Sequence, residues 1–173
     1  MTINIIIGNI ISLAAACFTA ASTFLHKRRT VYLCQVWQCI LLAVASIFFR
    51  SYAGITTLVL CAVRNVFIMK EKYTGKLCAV FFVLVGVAGL ISNNRGFIGL
   101  IPVFATLLYT VGAYVAKKEI TIKWNIMVNL ILWGIYEAAI MDYASLISDL
   151  VGVTAGIVSL CSNKMKNSKK SDL

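Results

Sequence analysis

The chain has 173 residues, of which 61% are hydrophobic and only 13% are charged, and its mean hydropathy is +0.91. A soluble domain carries about 25% charged residues, so the composition excludes a soluble domain and predicts one compact integral membrane domain. The net charge of +10 does not indicate nucleic acid, because the basic residues lie in short clusters between apolar runs, a pattern typical of membrane topology.

Seven apolar segments are predicted to cross the membrane as helices. A bilayer core of about 30 Å needs roughly 20 helical residues, and each segment approaches that length. The segments cover about 3–25, 31–49, 52–69, 76–91, 97–116, 121–141 and 143–161. The connections are short, so successive helices are expected to be antiparallel neighbours. No basic region precedes the first segment and no cleavage-like ending follows it, which favours a retained helix over a signal peptide.

The basic residues predict the orientation of the chain. With seven spans, thirteen of them fall on one side of the membrane and only Arg50 and Arg95 on the other. An excess of Lys and Arg marks the cytoplasmic side. The N-terminus is therefore predicted outside, the C-terminus cytoplasmic, and 164–173 a basic cytoplasmic tail. The thirteen are Lys27, Arg28, Arg29, Lys70, Lys72, Lys76, Lys117, Lys118, Lys123, Lys164, Lys166, Lys169 and Lys170.

A gapless shift of 91 residues indicates an internal repeat. The predicted fold is all-α, with two parallel three-helix repeats at about 3–69 and 97–161, joined by a linker helix at about 76–91 within a single domain, 1–163. This 3+1+3 architecture is found in transporters, with the site between the repeats near mid-membrane. The aligned pairs are Lys27 with Lys118, Thr30 with Thr121, Gln38 with Asn129, Ile40 with Ile131, and Tyr52–Ala53 with Tyr143–Ala144.

Three stretches carry a resemblance to a known family: LHKRRTVYLCQVWQ, SYAG leading to AVRNVFIMK, and WNIMVNLILWGIYE. Over nearly its whole length the chain resembles the YgjV-type family of bacterial inner-membrane proteins, which implies a small, multi-spanning membrane protein. More distantly, the 3+1+3 layout and NLILWGIYE resemble PnuC-type vitamin transporters and SWEET sugar facilitators. That resemblance implies facilitated diffusion of a small polar solute between two three-helix bundles. The chain departs from the PnuC pattern at Leu42 and Ala45, which align with Trp133 and Tyr136.

The sixth segment carries a stripe of polar and aromatic residues about 80° wide. Polar side chains in a membrane helix usually face the protein interior or a water-filled cavity. The stripe therefore lines a solute path or, alternatively, packs helices through hydrogen bonds. On the second segment Gln38, the repeat mate of Asn129, either faces the solute with it or contacts it directly. The predicted substrate-binding residues are Gln35, Gln38, Asn125, Asn129, Trp133 and Tyr136.

Arg64 is the only basic residue well inside a predicted span, and it is a candidate for gating or coupling. One interpretation is that it contacts an anion or a gating carboxylate. The alternative is that its long side chain extends to the cytoplasmic end of the helix, about 9 Å away.

Asp149 is the second candidate for gating or coupling, as a structural acid or a protonatable group that couples proton movement. It shares a helix face with Gly152 and Gly156, a GxxxG pair that allows close helix approach. That face is predicted to be a packing surface. Glu137 and Asp142 are predicted to form a solvated rim at the outer end of the sixth segment.

The sequence lacks the motifs that are typical of several enzyme classes. There is no HExxH, no GxSxG, no Walker loop and no metal-binding cluster, so no enzyme activity, metal or cofactor is predicted. The leading hypothesis is a small-solute transporter or facilitator of the bacterial cytoplasmic membrane, with the lipid bilayer and a small polar solute as its partners. The alternative is a non-transporting membrane scaffold or accessory subunit. A homo-oligomer stays open under both hypotheses.

Overall fold

The computed structural model describes residues 3–24, 28–115 and 119–171, in which every regular element is an α-helix. Each predicted segment forms one helix in this described part of the chain. The last helix continues past the predicted end at 161, because Lys and Met are good helix formers and neither Gly nor Pro interrupts 157–171. The helices are α1 Ile3–Phe24, α2 Arg28–Phe48, α3 Tyr52–Met69, α4 Gly75–Ile91, α5 Gly96–Val115, α6 Glu119–Ile140 and α7 Tyr143–Ser171.

Four helices, α1, α2, α3 and α5, are long and apolar enough to cross a membrane by length and composition. The apolar stretches of the other three are shorter: Gly75–Ile91, Trp124–Ile140 and Tyr143–Val158. A helix suits the bilayer because its backbone N–H and C=O groups bond within the segment.

The helices form a ring. Each helix packs against its neighbours in the chain, and contacts of α1 with α7 and of α3 with α5 complete the circle. The ring order is thus α1, α2, α3, α5, α6, α7, and α4 packs against α3 and α5. We call the end with the α2–α3, α4–α5 and α6–α7 connections the capped end, and the end with residues 70–74 the basic end. Lys27, Lys117 and Lys118, used to predict the orientation, lie outside the described residues.

Two turns at the capped end have the same backbone geometry. Arg50 and Met141, which are 91 residues apart, both have positive φ angles, 52° and 65°. Each turn closes with the 6→1 and 5→2 bonds of a Schellman motif, which bonds the last carbonyls of a helix. The bonds are Ser51 N to Ser46 O at 2.9 Å and Arg50 N to Ile47 O at 3.0 Å, then Asp142 N to Glu137 O at 3.0 Å and Met141 N to Ala138 O at 3.4 Å.

An asparagine from elsewhere in the ring holds each of these turns. Asn9 of α1 donates to Met141 O at 3.0 Å and accepts from Ala144 N at 3.0 Å. Asn94, between α4 and α5, makes a similar pair of contacts with the other turn, one residue displaced at the N–H donor. It donates to Arg50 O at 2.8 Å and accepts from Tyr52 N at 3.2 Å.

The apolar core near the capped end joins four helices. Its buried members are Ala45, Phe49, Tyr136 and Ile140, against which Ile5, Ile11, Ile101 and Trp133 pack. A second cluster of Ala53, Val85 and Val103 joins α3, α4 and α5. These clusters leave the polar side chains of α3, α5 and α6 nearer the middle of the bundle.

Candidate functional site

Arg64 is the most unusual polar residue inside the bundle, because its side chain is only 3% exposed. Its Nη1 donates to Thr110 Oγ1 at 2.9 Å, and its Nη2 donates to Asn65 Oδ1 at 3.3 Å. The guanidinium lies 4.8 Å from the centre of the Tyr109 ring, within range of a cation–π interaction. The predicted extension of Arg64 to the helix end is therefore wrong, since α5 and its own neighbour hold it in the interior.

The positive charge of Arg64 has no carboxylate partner among the described residues. Its nearest electrostatic neighbours are thiol and phenol side chains, and its Nε is buried without a hydrogen-bond partner. A guanidinium stays protonated in proteins, and a buried charge without a partner is costly. The neighbours are Cys61, Tyr109, Cys39 and Tyr73.

Thr110 links Arg64 to the basic end of the bundle. Its Oγ1 donates to Thr106 O at 2.6 Å, so this hydroxyl has its lone pairs free to accept from Arg64. Its carbonyl oxygen accepts from Tyr73 OH at 3.2 Å, in the α3–α4 connection. Burial, with a hydrogen bond to Cys78, raises the pKa of Tyr73, so the phenol stays protonated and donates at neutral pH.

The predicted stripe on α6 faces the interior. A Cβ at Gly112 of α5 would collide with the Asn125 amide, which shows that the two helices approach closely there. Asn129 is half-buried, and its Oδ1 is buried without a hydrogen-bond partner. An amide oxygen in this state can accept a bond from a solute that reaches it.

Trp133 and Tyr136 lie in the apolar core near the capped end. Their rings pack edge to face, with centres 6.0 Å apart and an interplanar angle of 84°. The Tyr136 hydroxyl forms a hydrogen bond with Ser51 Oγ, the side chain that caps α3. These contacts explain the burial of the pair, and its role in binding a solute stays a prediction.

The structure does not join Gln38 to Asn129 by a hydrogen bond, although both residues are described. Gln38 and Gln35 are half-buried on α2. The alternative in which Gln38 and Asn129 tie the two halves together through their amides is therefore not seen. Their binding of a solute stays a prediction.

Arg64, Asn129 and Gln38 lie at similar depths in the bundle. At about 1.5 Å per residue, they lie about 18, 17 and 15 Å from the capped ends of α3, α6 and α2. We call this level the polar layer, and it comprises Gln38, Arg64, Asn65, Thr106, Thr110 and Asn129.

The prediction that Glu137 and Asp142 form a solvated rim is wrong. Both side chains are 4% exposed, and Glu137 Oε2 is buried without a hydrogen-bond partner. Asp142 accepts from Ser12 Oγ at 2.7 Å, from Ser145 Oγ at 2.9 Å and from Ser145 N at 3.2 Å, so it caps α7 and ties it to α1. Burial raises the pKa of Asp142 above its ordinary value.

A spacing signal in the sequence could have placed Glu137 inside. Met127, Leu130, Gly134 and Glu137 are three, four and three residues apart, which puts them on one face of α6. That face packs on α7, because Cβ atoms at Gly156 and Gly152 would lie 2.8 Å from Met127 Cγ and Leu130 Cδ1. The predicted packing role of the GxxxG face is thus confirmed within the chain. Asp149, on α7, is 8% exposed and lies close enough to Glu137 and Asp142 for their carboxyl groups to interact electrostatically.

Two surface clefts among the described residues are not lined by the polar layer. The first is an entirely apolar groove of about 490 Å³ between α2 and α3. The second, about 430 Å³, lies at the basic end and is lined by Arg29, Met69, Lys70, Glu71 and Lys72. Within the described residues, no group of three or more His, Cys, Asp or Glu side chains could hold a metal ion.

Apolar helices long enough to span a bilayer, with polar groups enclosed by the helix bundle, define an all-helical integral membrane protein. The chain belongs to the Imp-YgjV family of bacterial inner membrane proteins, whose family model matches residues 6–170. The predicted YgjV-type resemblance is thereby confirmed. Comparisons with curated proteins and with solved structures give no match. The more distant PnuC and SWEET resemblance stays a prediction.

Proposed function

We propose that the protein is a transporter or facilitator that carries a small polar solute across the bacterial inner membrane. The observation that carries this proposal is the polar layer, in which Arg64 Nε and Asn129 Oδ1 are buried without partners. Unsatisfied polar groups inside a membrane protein are costly, and such residues usually mark a substrate or ion pathway. If these polar side chains only packed the helices together, we would expect them to form hydrogen bonds with each other.

The proposed path runs between two three-helix units, α1–α3 and α5–α7, joined by α4. Two observations support this division. The turns at 46–51 and 137–142 have the same hydrogen-bond pattern at an offset of 91 residues. In addition, the contact of α3 with α5 has its counterpart in the contact of α7 with α1. In transporters built from repeats, the site lies at the interface of the repeats.

The proposed orientation places the basic end in the cytoplasm and the N-terminus outside, because thirteen Lys and Arg residues against two favour it. A reporter that is active only in the cytoplasm, fused after Leu173, should be active. A reporter that is active only outside the cytoplasm should be inactive at the same position. The opposite pair of results would reverse the orientation.

Transport is tested with the full-length protein in sealed vesicles. Osmotic swelling is followed by light scattering for glycerol, urea, a hexose, acetate and phosphate, and compared with protein-free vesicles. We expect at least one solute to enter faster with the protein. Asn129→Leu should abolish that gain, whereas Val128→Leu, a change at the neighbouring exposed position, should preserve it.

The same measurements test the assignment of Asn129 to the path separately from the proposal of transport. Equal entry in Asn129→Leu and wild type would remove Asn129 from the path. Entry no faster than in protein-free vesicles for every solute would argue against the proposal.

The second candidate is a non-transporting scaffold or accessory subunit. The observation that favours it is the apolar α2–α3 groove, whose lining includes Val36, Ile40, Val59 and Val63, where another membrane helix could pack. The GxxxG face of α7 does not serve a partner in the same way, because Gly152 and Gly156 already pack against α6. Co-purification of a defined partner that is lost in Val59→Trp, without effect on solute entry, would favour this candidate. Self-association through the same groove would give a homo-oligomer.

A further inference from the structure

We infer that Arg64 is the recognition group for a small oxyanion, a carboxylate or a phosphate, approaching from the basic end. This inference names the solute class for the proposed transport function and rests on it for its physiological meaning. Anion binding itself is measured without transport, so the two can fail separately.

The first step is the unbalanced charge. Arg64 is 3% exposed, its charge is permanent, and none of its electrostatic neighbours is a carboxylate. The described acids inside the bundle, Glu137, Asp142 and Asp149, are grouped with one another near the capped end. The molecule therefore keeps a cation in the polar layer that no described group of its own neutralises. A bound anion would supply the missing charge.

The second step is the geometry of the donors. A guanidinium has five N–H groups in a planar fork, and Arg64 uses one on Thr110 and one on Asn65. Those bonds and the Tyr109 ring hold the plane in place, while the Nε–H is left without an acceptor. An edge formed by Nε–H and a neighbouring Nη–H binds a carboxylate or phosphate through two parallel bonds. The side chain is therefore already positioned for the anion.

The third step is the access of anions to the site. Arg64 lies six residues from Lys70, about 9 Å along α3. The cleft at the basic end contains Arg29, Lys70 and Lys72 against a single acid, Glu71. A cleft lined by one sign of charge raises the local concentration of the opposite ion. The cleft therefore concentrates anions at the end of α3 that lies nearest to Arg64.

The stability of Arg64→Met distinguishes a binding role of Arg64 from a purely structural role. A buried charge without a partner is costly, so replacing it by an apolar group of similar size removes that cost. If Arg64 is kept for binding, Arg64→Met should unfold at the same or a higher temperature than wild type in chloride buffer. If Arg64 is kept for its bonds to Thr110 and Asn65, Arg64→Met should unfold at a clearly lower temperature.

The binding experiment uses the full-length protein in detergent, with sodium phosphate, sulfate or acetate titrated against sodium chloride at constant ionic strength. The unfolding temperature of wild type should rise saturably with at least one oxyanion, and the most effective one separates phosphate-like from carboxylate ligands. In Arg64→Gln the half-saturating concentration should rise at least about tenfold, because a charge-assisted bidentate contact is lost. Arg64→Lys should bind more weakly than wild type, since it keeps the charge without the fork.

The control is Arg50→Gln, which removes an exposed arginine at the capped end and should leave binding unchanged. Absence of a saturable rise in wild type, or an equal rise in Arg64→Gln, would overturn the inference. A lower unfolding temperature of Arg64→Met in chloride would also count against it. Binding without vesicle transport would leave the inference standing and remove the transport proposal. Transport of neutral solutes without oxyanion binding would support the transport proposal and overturn the inference.

Discussion

Single hydroxyl and carboxyl groups join the two halves of the chain at the capped end. Ser51 Oγ accepts from Gly54 N at 3.1 Å as the cap of α3 and also bonds the Tyr136 hydroxyl of α6. Asp142, 91 residues after Ser51, caps α7 and bonds Ser12 of α1. In each case a cap side chain has a second partner on a distant helix, so local structure and tertiary packing depend on the same atom.

The Ser51–Tyr136 bond predicts a measurable coupling between two residues far apart in the sequence. Ser51→Ala should lower the free energy of unfolding by about 1–2 kcal/mol through loss of the cap, and Tyr136→Phe by about 1 kcal/mol. The double variant should lose less stability than the two single losses added together, by about 0.5–1.5 kcal/mol. Unfolding of the four proteins in detergent gives the coupling. Strict additivity would show that the hydroxyls do not interact.

Asp142 predicts a pH dependence of stability. Burial raises its pKa above the ordinary value of 3.8, despite hydrogen bonds that act in the other direction. A carboxyl with a raised pKa in the folded state binds its proton more tightly there, so its contribution to stability is present at low pH and is lost as the pH rises through the folded pKa. Asp142→Asn cannot titrate. The wild type should therefore lose stability relative to Asp142→Asn as the pH rises above about 4.

The Asp142→Asn amide can still accept from Ser145 N and donate to the two serine hydroxyls, so it should fold normally. Asp142→Ala removes the cap and should be less stable than Asp142→Asn by about 1–2 kcal/mol at every pH. Unfolding temperatures of the three proteins across this pH range provide the measurement. Parallel curves for the wild type and Asp142→Asn would contradict the assigned pKa shift.

At the scale of the helices, α4 shows how packing decides the effect of one glycine. A Cβ at Gly89 would lie 2.7 Å from Val103 Cγ2 and 2.9 Å from its Cγ1, whereas a Cβ at Gly86, three residues earlier, meets nothing within 4 Å. Valine is stiff because it is branched at Cβ. The α4–α5 contact therefore cannot make room for a methyl group at Gly89 without moving the helices.

These two glycines form a matched pair for a stability test. Gly86→Ala should stabilise the protein by up to about 1 kcal/mol, since alanine is the better helix former. Gly89→Ala gains the same propensity but overpacks the Val103 contact, and should be destabilising by about 1–3 kcal/mol. Thermal unfolding in one detergent compares them directly. The same sign for both variants would show that α4 is held loosely against α5.

The hydropathy of the sequence predicts the helices well, because a segment in lipid has to satisfy its backbone groups internally. The positions of Arg64 and Glu137 were harder to predict, for a different reason. Hydropathy gives the depth of a residue but not the direction of its side chain. Arg64 is long enough to reach the helix end, and only Thr110, 46 residues away, fixes it inside. Glu137 is buried because α7 covers its face of α6.

At the scale of the whole molecule, Asn9 and Asn94 each bind a turn that is distant in the sequence. Asn9 of α1 binds the turn between α6 and α7, and Asn94 binds the turn between α2 and α3. Each amide supplies one donor and one acceptor to backbone atoms. If the halves move against each other during transport, these four bonds lie between the parts that move, so their strength sets how easily the capped end opens.

This arrangement predicts local effects that are reciprocal between the two turns. Asn9→Ala removes the acceptor for Ala144 N, so amide exchange should speed up in peptides covering 141–148 and stay unchanged in 50–56. Asn94→Ala removes the acceptor for Tyr52 N and should reverse the pattern. Hydrogen exchange followed by mass spectrometry on the full-length protein measures both regions in one experiment. Faster exchange of both turns in either variant would contradict these local effects. It would mean that the capped end opens as a single unit that both asparagines stabilise.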